Sequence, residues 1–425
     1  MKRIAILPFL IIFLVRCTSD LPIPSPSMPA TAQASEVGPT PRVSAWSVYD
    51  PDADHPWNRV FRALYRRTAA NGTEYGSDEL DPLLWLDTTQ LLDGPSHQQA
   101  VQVLDEFLAT HAEQLIREPL KRAMFQRDLW AVFDWLAAQA EPFPSERRAL
   151  EIRLVQIIKR VALPKAEILS LPDNYTLAVR SNLFPARVQA DHPEAAFLPS
   201  DLFQPESAWV SIGREGGPIA ITHTEAFPFF GHSVFLVYIR SPRGRVGTLD
   251  FIQSLNTEPG PVTAIGSEVA LVRRMLLIDE QGVPVLSPLL ETIQIRHFNP
   301  EQHFHEFELS RAGLLKGSTG GLVVRDHLFM LFMGHGDVFQ NSIPELRATI
   351  PEICEACHSE YPPIFNSGNT RSIISYSRQN FPLSDNGQLE LFPTTLDAEA
   401  QTVIMWKRKH ATWKSLEALW GPANP

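Results

Sequence analysis

Apolar positions recur at helical spacing through the front half of the chain. Trp57, Val60, Phe61, Leu64 and Tyr65 fall on one face, as do Val101, Val103, Leu104, Phe107 and Leu108. Phe125, Leu129, Val132, Phe133, Trp135 and Leu136 form a third such stretch, and Leu150, Ile152, Leu154, Ile157 and Ile158 a fourth. Pro119, Pro142 and Pro144 sit at or between these segments, where helices start or stop. The spacing predicts a helical domain over 48–165 whose aromatic stripes are core, with nothing that asks to be an active site.

Beyond about residue 165 the period shortens to that of strands. Residues 208–212, 219–222, 234–239 and 269–278 read as strands with Gly and Pro between them, followed by a cleanly alternating 292–296 and by 304–309. Residues 322–333, broken by Arg325-Asp326-His327, add another. A single helix, 247–255, interrupts them. Clustered strands with few crossover helices predict a mostly antiparallel sheet over 166–340, and so an α+β fold rather than a doubly wound α/β one. A helical pattern returns over 396–420, where Trp406, Trp413 and Trp420 recur every seven residues.

The two ends carry a different signal. Met1-Lys2-Arg3 is a short basic region, and residues 4–15 form an apolar run too short to span a bilayer as a helix. The run closes on Leu14-Val15-Arg16-Cys17, which resembles a bacterial lipoprotein signal with Cys17 as the lipidated residue. Arg16 stands where that signal has a small residue, and Ala32-Gln33-Ala34 offers an ordinary signal-peptidase site. The resemblance implies export to the periplasm or cell envelope and membrane anchoring through Cys17. Residues 18–47, rich in Pro, Ser and Ala, then serve as an extended tether.

Charge narrows the class of partner. The 425 residues hold 37 basic and 48 acidic side chains, a net of −11 that becomes 34 − 48 = −14 without Lys2, Arg3 and Arg16. An acidic chain with no Lys/Arg run interleaved with aromatics is not built to bind nucleic acid. The hydrophobic fraction, 44%, is enough for one large core or two to three smaller ones.

The chemistry concentrates at Cys354-Glu355-Ala356-Cys357-His358, a C-x-x-C-H pattern of the kind that attaches a c-type haem. Positions i and i+3 of one helical turn lie on one face, so both thiols reach the two vinyl groups of one porphyrin. The next residue, His358, is carried under the ring where its nitrogen meets the iron. A thioredoxin-like disulfide would want a βαβ setting, and a zinc site two further ligands; with three cysteines in all, neither is supplied. Pro351 and Glu352 precede the motif as a helix start. Residues 341–425 thus resemble a class I c-type cytochrome, although the likeness rests on this one motif. It implies one covalent haem c on Cys354 and Cys357, His358 as proximal iron ligand, and a methionine downstream as the distal one.

Met405 is the only methionine after the motif, but it lies within the 396–420 helix. On a wheel of about 100° per residue, His410 falls roughly 40° from Trp406 and Met405 roughly 100° away, so His410 is better aimed. Both are candidate distal ligands, with His327, Met330, Met333 and His335 upstream as further ones. Two strong axial ligands leave iron able only to pass electrons, which points to an electron carrier with an unidentified redox partner rather than a catalyst. The alternatives are an envelope binding or scaffold protein whose Cys pair is a disulfide, and an enzyme with an open haem or metal site. For the last, His303-Phe304-His305 on a strand with His297 opposite His303 offers a weak three-histidine metal site. Gly317-Ser318-Thr319-Gly320-Gly321 lacks the lysine of a phosphate loop, no Gly-x-Ser-x-Gly elbow occurs, and the aromatic run 227–232 reads equally as pocket lining or buried loop.

Overall fold

A computed structural model describes residues 46–68, 72, 74–81, 88–139, 142–225, 229–256, 264–298, 303–325, 331–332, 347–348 and 390–421. These all belong to one compact unit, Val43–Pro425; the other, Met1–Arg42, lies outside the described residues. The expected signal with Cys17, most of the tether, and the stretch 349–389 with Cys354, Cys357 and His358 also fall outside them.

The four helical stretches form where the spacing places them. They are α1 (Pro56–Tyr65), α2 (Gly94–Ala109), α3 (Pro119–Ala138) and α4 (Pro144–Val161). Each has proline in its first turn, where the missing N–H removes no helical bond. A two-stranded ribbon, β1 (Arg67–Thr68) with β2 (Glu74–Tyr75), follows α1. Trp57 and Phe125 stack at 4.3 Å, and Tyr49 meets Phe125 edge-on at 5.1 Å. The aromatic stripes are core, as the pattern predicts. Helix α3 departs from it: residues 123–136 are all buried, including Gln126, Arg127, Asp128 and Asp134. A helix covered on every side has no solvent face for its charges.

The strand-rich stretch is an antiparallel meander. β3 (Trp209–Arg214), β4 (Ser233–Arg240), β5 (Glu268–Ile278), β6 (Pro284–His297), β7 (His303–Leu309) and β8 (Leu322–Val324) pair in sequence order. The β5–β6 turn is held by Asp279, whose Oδ1 accepts from the backbone N–H of Gln281 (3.0 Å) and Val283 (2.8 Å). The β5–β6 register slips near Arg273 and Arg274. The side chain of Asn174 closes the gap there, bonding both the N–H and the C=O of Leu290 at 2.7 and 2.9 Å. A last strand, β11 (Leu391–Pro393), joins the sheet beside β3, at the edge opposite β8. Two short strands, β9 (Leu331–Phe332) and β10 (Arg347–Ala348), pair with each other between β8 and β11 in sequence.

Several expectations are corrected. Residues 219–222 make no strand of the sheet; they lead into the single-turn helix α7 (Ile221–Glu225). Helix α8 (Gly244–Leu255) is joined in this region by short α5 (Lys165–Leu169), α6 (Asn174–Arg180) and α9 (Arg311–Lys316). Segment 396–420 is two helices, α10 (Leu396–Lys409) and α11 (Ala411–Trp420), because His410 leaves the helical region at φ −69°, ψ 147°. Helix α11 packs on α3 and α4, and α10 on β4. One core runs from Trp46 through α3, β5 and β6 to Trp420, so the helical and strand-rich stretches expected as separate domains share their interior. A smaller core closes the other face around Phe235, Ile239 and Phe251.

Candidate functional site

The most chemically loaded part of the described residues is a chain of ion pairs through the interior. It begins at Asp81, in the loop after the β1–β2 ribbon. Arg127 on α3 donates Nη2 to Asp81 Oδ1 at 2.6 Å and Nε to Glu291 Oε1 on β6 at 2.5 Å. Arg273 on β5 grips the same aspartate through Nη1 (2.5 Å) and Nη2 (2.9 Å), with its Nε 3.0 Å from Glu291 Oε2. Ser233 Oγ donates to that Oε2 at 2.5 Å. The register slip beside Arg273 lets arginine and glutamate from neighbouring strands meet.

His232 continues the chain. Its Nε2 is 3.1 Å from Asp81 Oδ1 and its Nδ1 3.2 Å from Asp134 Oδ2. Asp134 Oδ2 also accepts from Lys407 Nζ of α10 at 2.6 Å. Lys407 spends its other two protons on the carbonyl of Phe230 (2.7 Å) and the hydroxyl of Thr412 (2.8 Å). Asp81, Arg127, His232, Arg273, Glu291, Asp134 and Lys407 are all between 0% and 3% exposed.

Burial alone would push these carboxyls up. The guanidiniums of Arg127 and Arg273 instead hold Asp81 well below the usual range, and Glu291 below it too. Lys407 and His232 do the same for Asp134, while burial draws Lys407 itself down despite Asp134. Three carboxylates, Asp81, Asp134 and Glu291, thus face three cations, Arg127, Arg273 and Lys407, in pairs that stay ionised inside the core. A second pair lies alongside: Arg311 of α9 holds Asp128 at 2.8 Å, and Tyr49 Oη donates to the same carboxylate at 2.5 Å. Side chains so enclosed meet no substrate; their chemistry is to fix α3, the sheet and α10 against one another.

At the outer end of the chain of pairs lies an aromatic corner. Phe230 and Gly231 take positive φ values of 42° and 71°, a tight turn that delivers His232 inward. The Trp406 ring lies so close over Gly231 that a Cβ there would come within 2.4 Å of it, which is why no larger residue fits. His410 stacks on Trp406 at 4.9 Å and 27°, and Phe230 lies 6.2 Å away on it. His410 Nδ1 accepts from the Thr412 backbone N–H (3.4 Å) and lies 3.1 Å from Thr412 Oγ1. Burial and the nearby Lys407 charge lower its pKa. Met405, one turn of α10 before the break, is 56% exposed. The two candidate distal ligands therefore differ sharply: His410 is half-buried and hydrogen-bonded, whereas Met405 turns its thioether outward.

The other sequence-based candidates separate. His297 stands opposite His303 in the β6–β7 ladder, as its position in the hairpin predicts, and His305 opposite Ile295. His297 Nδ1 faces Glu268 Oε1 at 3.3 Å, while His305 is buried with Phe197 against its ring at 6.1 Å. No group of three His, Cys, Asp or Glu able to hold a metal occurs among the described residues. The Gly317–Gly321 stretch serves packing: a Cβ on Gly320 would fall 2.0 Å from the Asn174 carbonyl oxygen. His327, Met330, Met333 and His335 lie outside the described residues.

Sequence periodicity missed the ion-pair chain. Its one early sign is the density of Arg127, Asp128 and Asp134 within a helix otherwise made of large apolar residues. No protein-family model, curated protein or solved structure matches this chain.

Proposed function

We propose that the chain is an exported, lipid-anchored, monohaem c-type cytochrome-like electron carrier. The observation that carries this reading is Cys354-x-x-Cys357-His358, supported by the signal-like N-terminus ending at Cys17. Cys354 and Cys357 would form the two thioethers and His358 the proximal bond. A haem so bound supplies one-electron transfer at iron. Thioether attachment takes place outside the bacterial cytoplasm, so the export signal and the motif support each other. The remaining cysteine is Cys17, which leaves the fold to its core without disulfides.

The described residues contribute a rigid mount. Buried ion pairs tie α10, the helix bearing Met405, to α3 and the sheet, which suits a protein that must hold a redox centre in place while a partner docks. Small reorganisation on electron transfer favours such a frame. The test is haem staining of a denaturing gel after expression with the haem-attachment machinery. Stain should travel with the full-length chain and be lost in the Cys354→Ser/Cys357→Ser double variant. An unstained parent chain of normal yield would sink the proposal.

A further inference from the structure

We infer that His410 is locked as its Nε2–H tautomer by the start of α11, and is a helix cap rather than an iron ligand. The inference rests on the haem reading only for its consequence, which is to leave Met405 as the outward-facing donor of α10 and α11.

The roles at Nδ1 are fixed by a group that has no choice. A backbone amide can only donate, and the N–H of Thr412 is directed at His410 Nδ1 from 3.4 Å. The nitrogen must therefore present its lone pair. The Thr412 hydroxyl agrees. Its oxygen already accepts from Lys407 Nζ at 2.8 Å, which frees its own proton for Nδ1, 3.1 Å away. Lys407 is in turn held by Asp134 and by the Phe230 carbonyl, so the hydroxyl cannot turn about without breaking that set. Burial, and after it the Lys407 charge, disfavours the ring as a cation and leaves it a single proton. An imidazole whose Nδ1 accepts carries that proton on Nε2.

Iron ligation demands the reverse. A metal-binding histidine offers one nitrogen's lone pair while donating the other N–H to a carbonyl or carboxylate. For His410 to bind through Nε2, its proton would have to move to Nδ1, where it would meet the Thr412 N–H head-on. That exchange gives up the cap of α11. The ring cannot swing away cheaply, because Trp406 covers one face and Phe230 lies beside it. Met405 has no such tie, being 56% exposed on the solvent side of α10.

The tautomer can be read in the full chain whether or not haem is present. Long-range proton–nitrogen correlation of ¹⁵N-histidine protein distinguishes the two neutral forms, with His410→Gln identifying the signal. The expected pattern is Nε2–H for His410, unchanged after haem attachment. In the haem-loaded, oxidised protein, His410→Gln should leave the near-infrared and electron-paramagnetic spectra of the iron as they were. A His410 pattern with the proton on Nδ1, or an iron spectrum altered by His410→Gln, would overturn the inference. Failure of the chain to stain for haem would defeat the electron-carrier reading instead, and the tautomer measurement would still decide the cap.

Discussion

Lys407 shows most directly what single residues do here. Its three ammonium protons go to Asp134, Phe230 and Thr412, and it has no contact with water. Replacing it with methionine keeps the stem but takes the ammonium away from Asp134 and leaves that buried carboxylate only His232 as a partner. Removing one member of a buried pair costs about 3–5 kcal/mol, whereas replacing both with apolar groups is often close to neutral. Lys407→Met should therefore lower the urea midpoint steeply, and Lys407→Met/Asp134→Leu should recover a good part of the loss. Equal midpoints for the single variant and its parent would show that the pair holds nothing. Asp81 is the riskier position, because Arg127, Arg273 and His232 all converge on it. Its loss leaves two buried guanidiniums to share the single carboxylate of Glu291.

Among the elements, α10 carries a second polar anchor with a pH signature. Glu399 in its first turn accepts from the Ile219 backbone N–H at 2.7 Å. Burial lifts this carboxyl to about 7, only partly offset by that hydrogen bond and by Arg214. A carboxyl with a raised folded pKa takes up a proton on folding, so its contribution favours the fold at low pH. That contribution is lost as pH rises from the ordinary carboxyl range through about 7, a difference of up to about 3 kcal/mol. Glu399→Gln keeps the acceptor without the charge. It should match the parent in stability near pH 4 and exceed it near pH 8, as denaturant midpoints at the two pH values would show. A variant no more stable than the parent at the higher pH would contradict the assignment. Elements of this size differ in how far the sequence foretells them. The strands β3 to β7 were legible because each holds a run rich in apolar or alternating residues between turn signals, and β3 to β8 pair in chain order. Residues 219–222 were misread because four apolar-rich residues fit either period. The break at His410 was invisible, since the tryptophan heptad runs straight through it. The wheel that favoured His410 over Met405 assumed one continuous helix and loses its premise there.

On the scale of the whole molecule, the ion-pair chain was unreadable for a different reason. Its members come from positions 81, 127, 134, 232, 273, 291 and 407, and periodicity reports on neighbours in sequence, not on contacts across hundreds of residues. The same long reach bears on whether the end that carries the Cys354-x-x-Cys357-His358 pattern, 341–425, stands as a unit of its own. Its helices α10 and α11 bury Val403, Ile404, Trp413, Leu416 and Trp420 in the core shared with α3, α4 and the sheet. Lys159 of α4 caps the far end, donating to the Trp420 carbonyl at 2.9 Å. Helices of 14 and 10 residues are too short to persist alone in water, where about 12–15 residues is marginal even for favourable sequences. A fragment of residues 341–425 should therefore show little helix from α10 and α11 by circular dichroism. Added to a chain ending at residue 389, it should regain that helix and protect its tryptophans from quenching. If the isolated fragment is already fully helical and ignores the longer piece, the C-terminal part is an independent domain, and the buried Lys407–Asp134 pair is not what holds it.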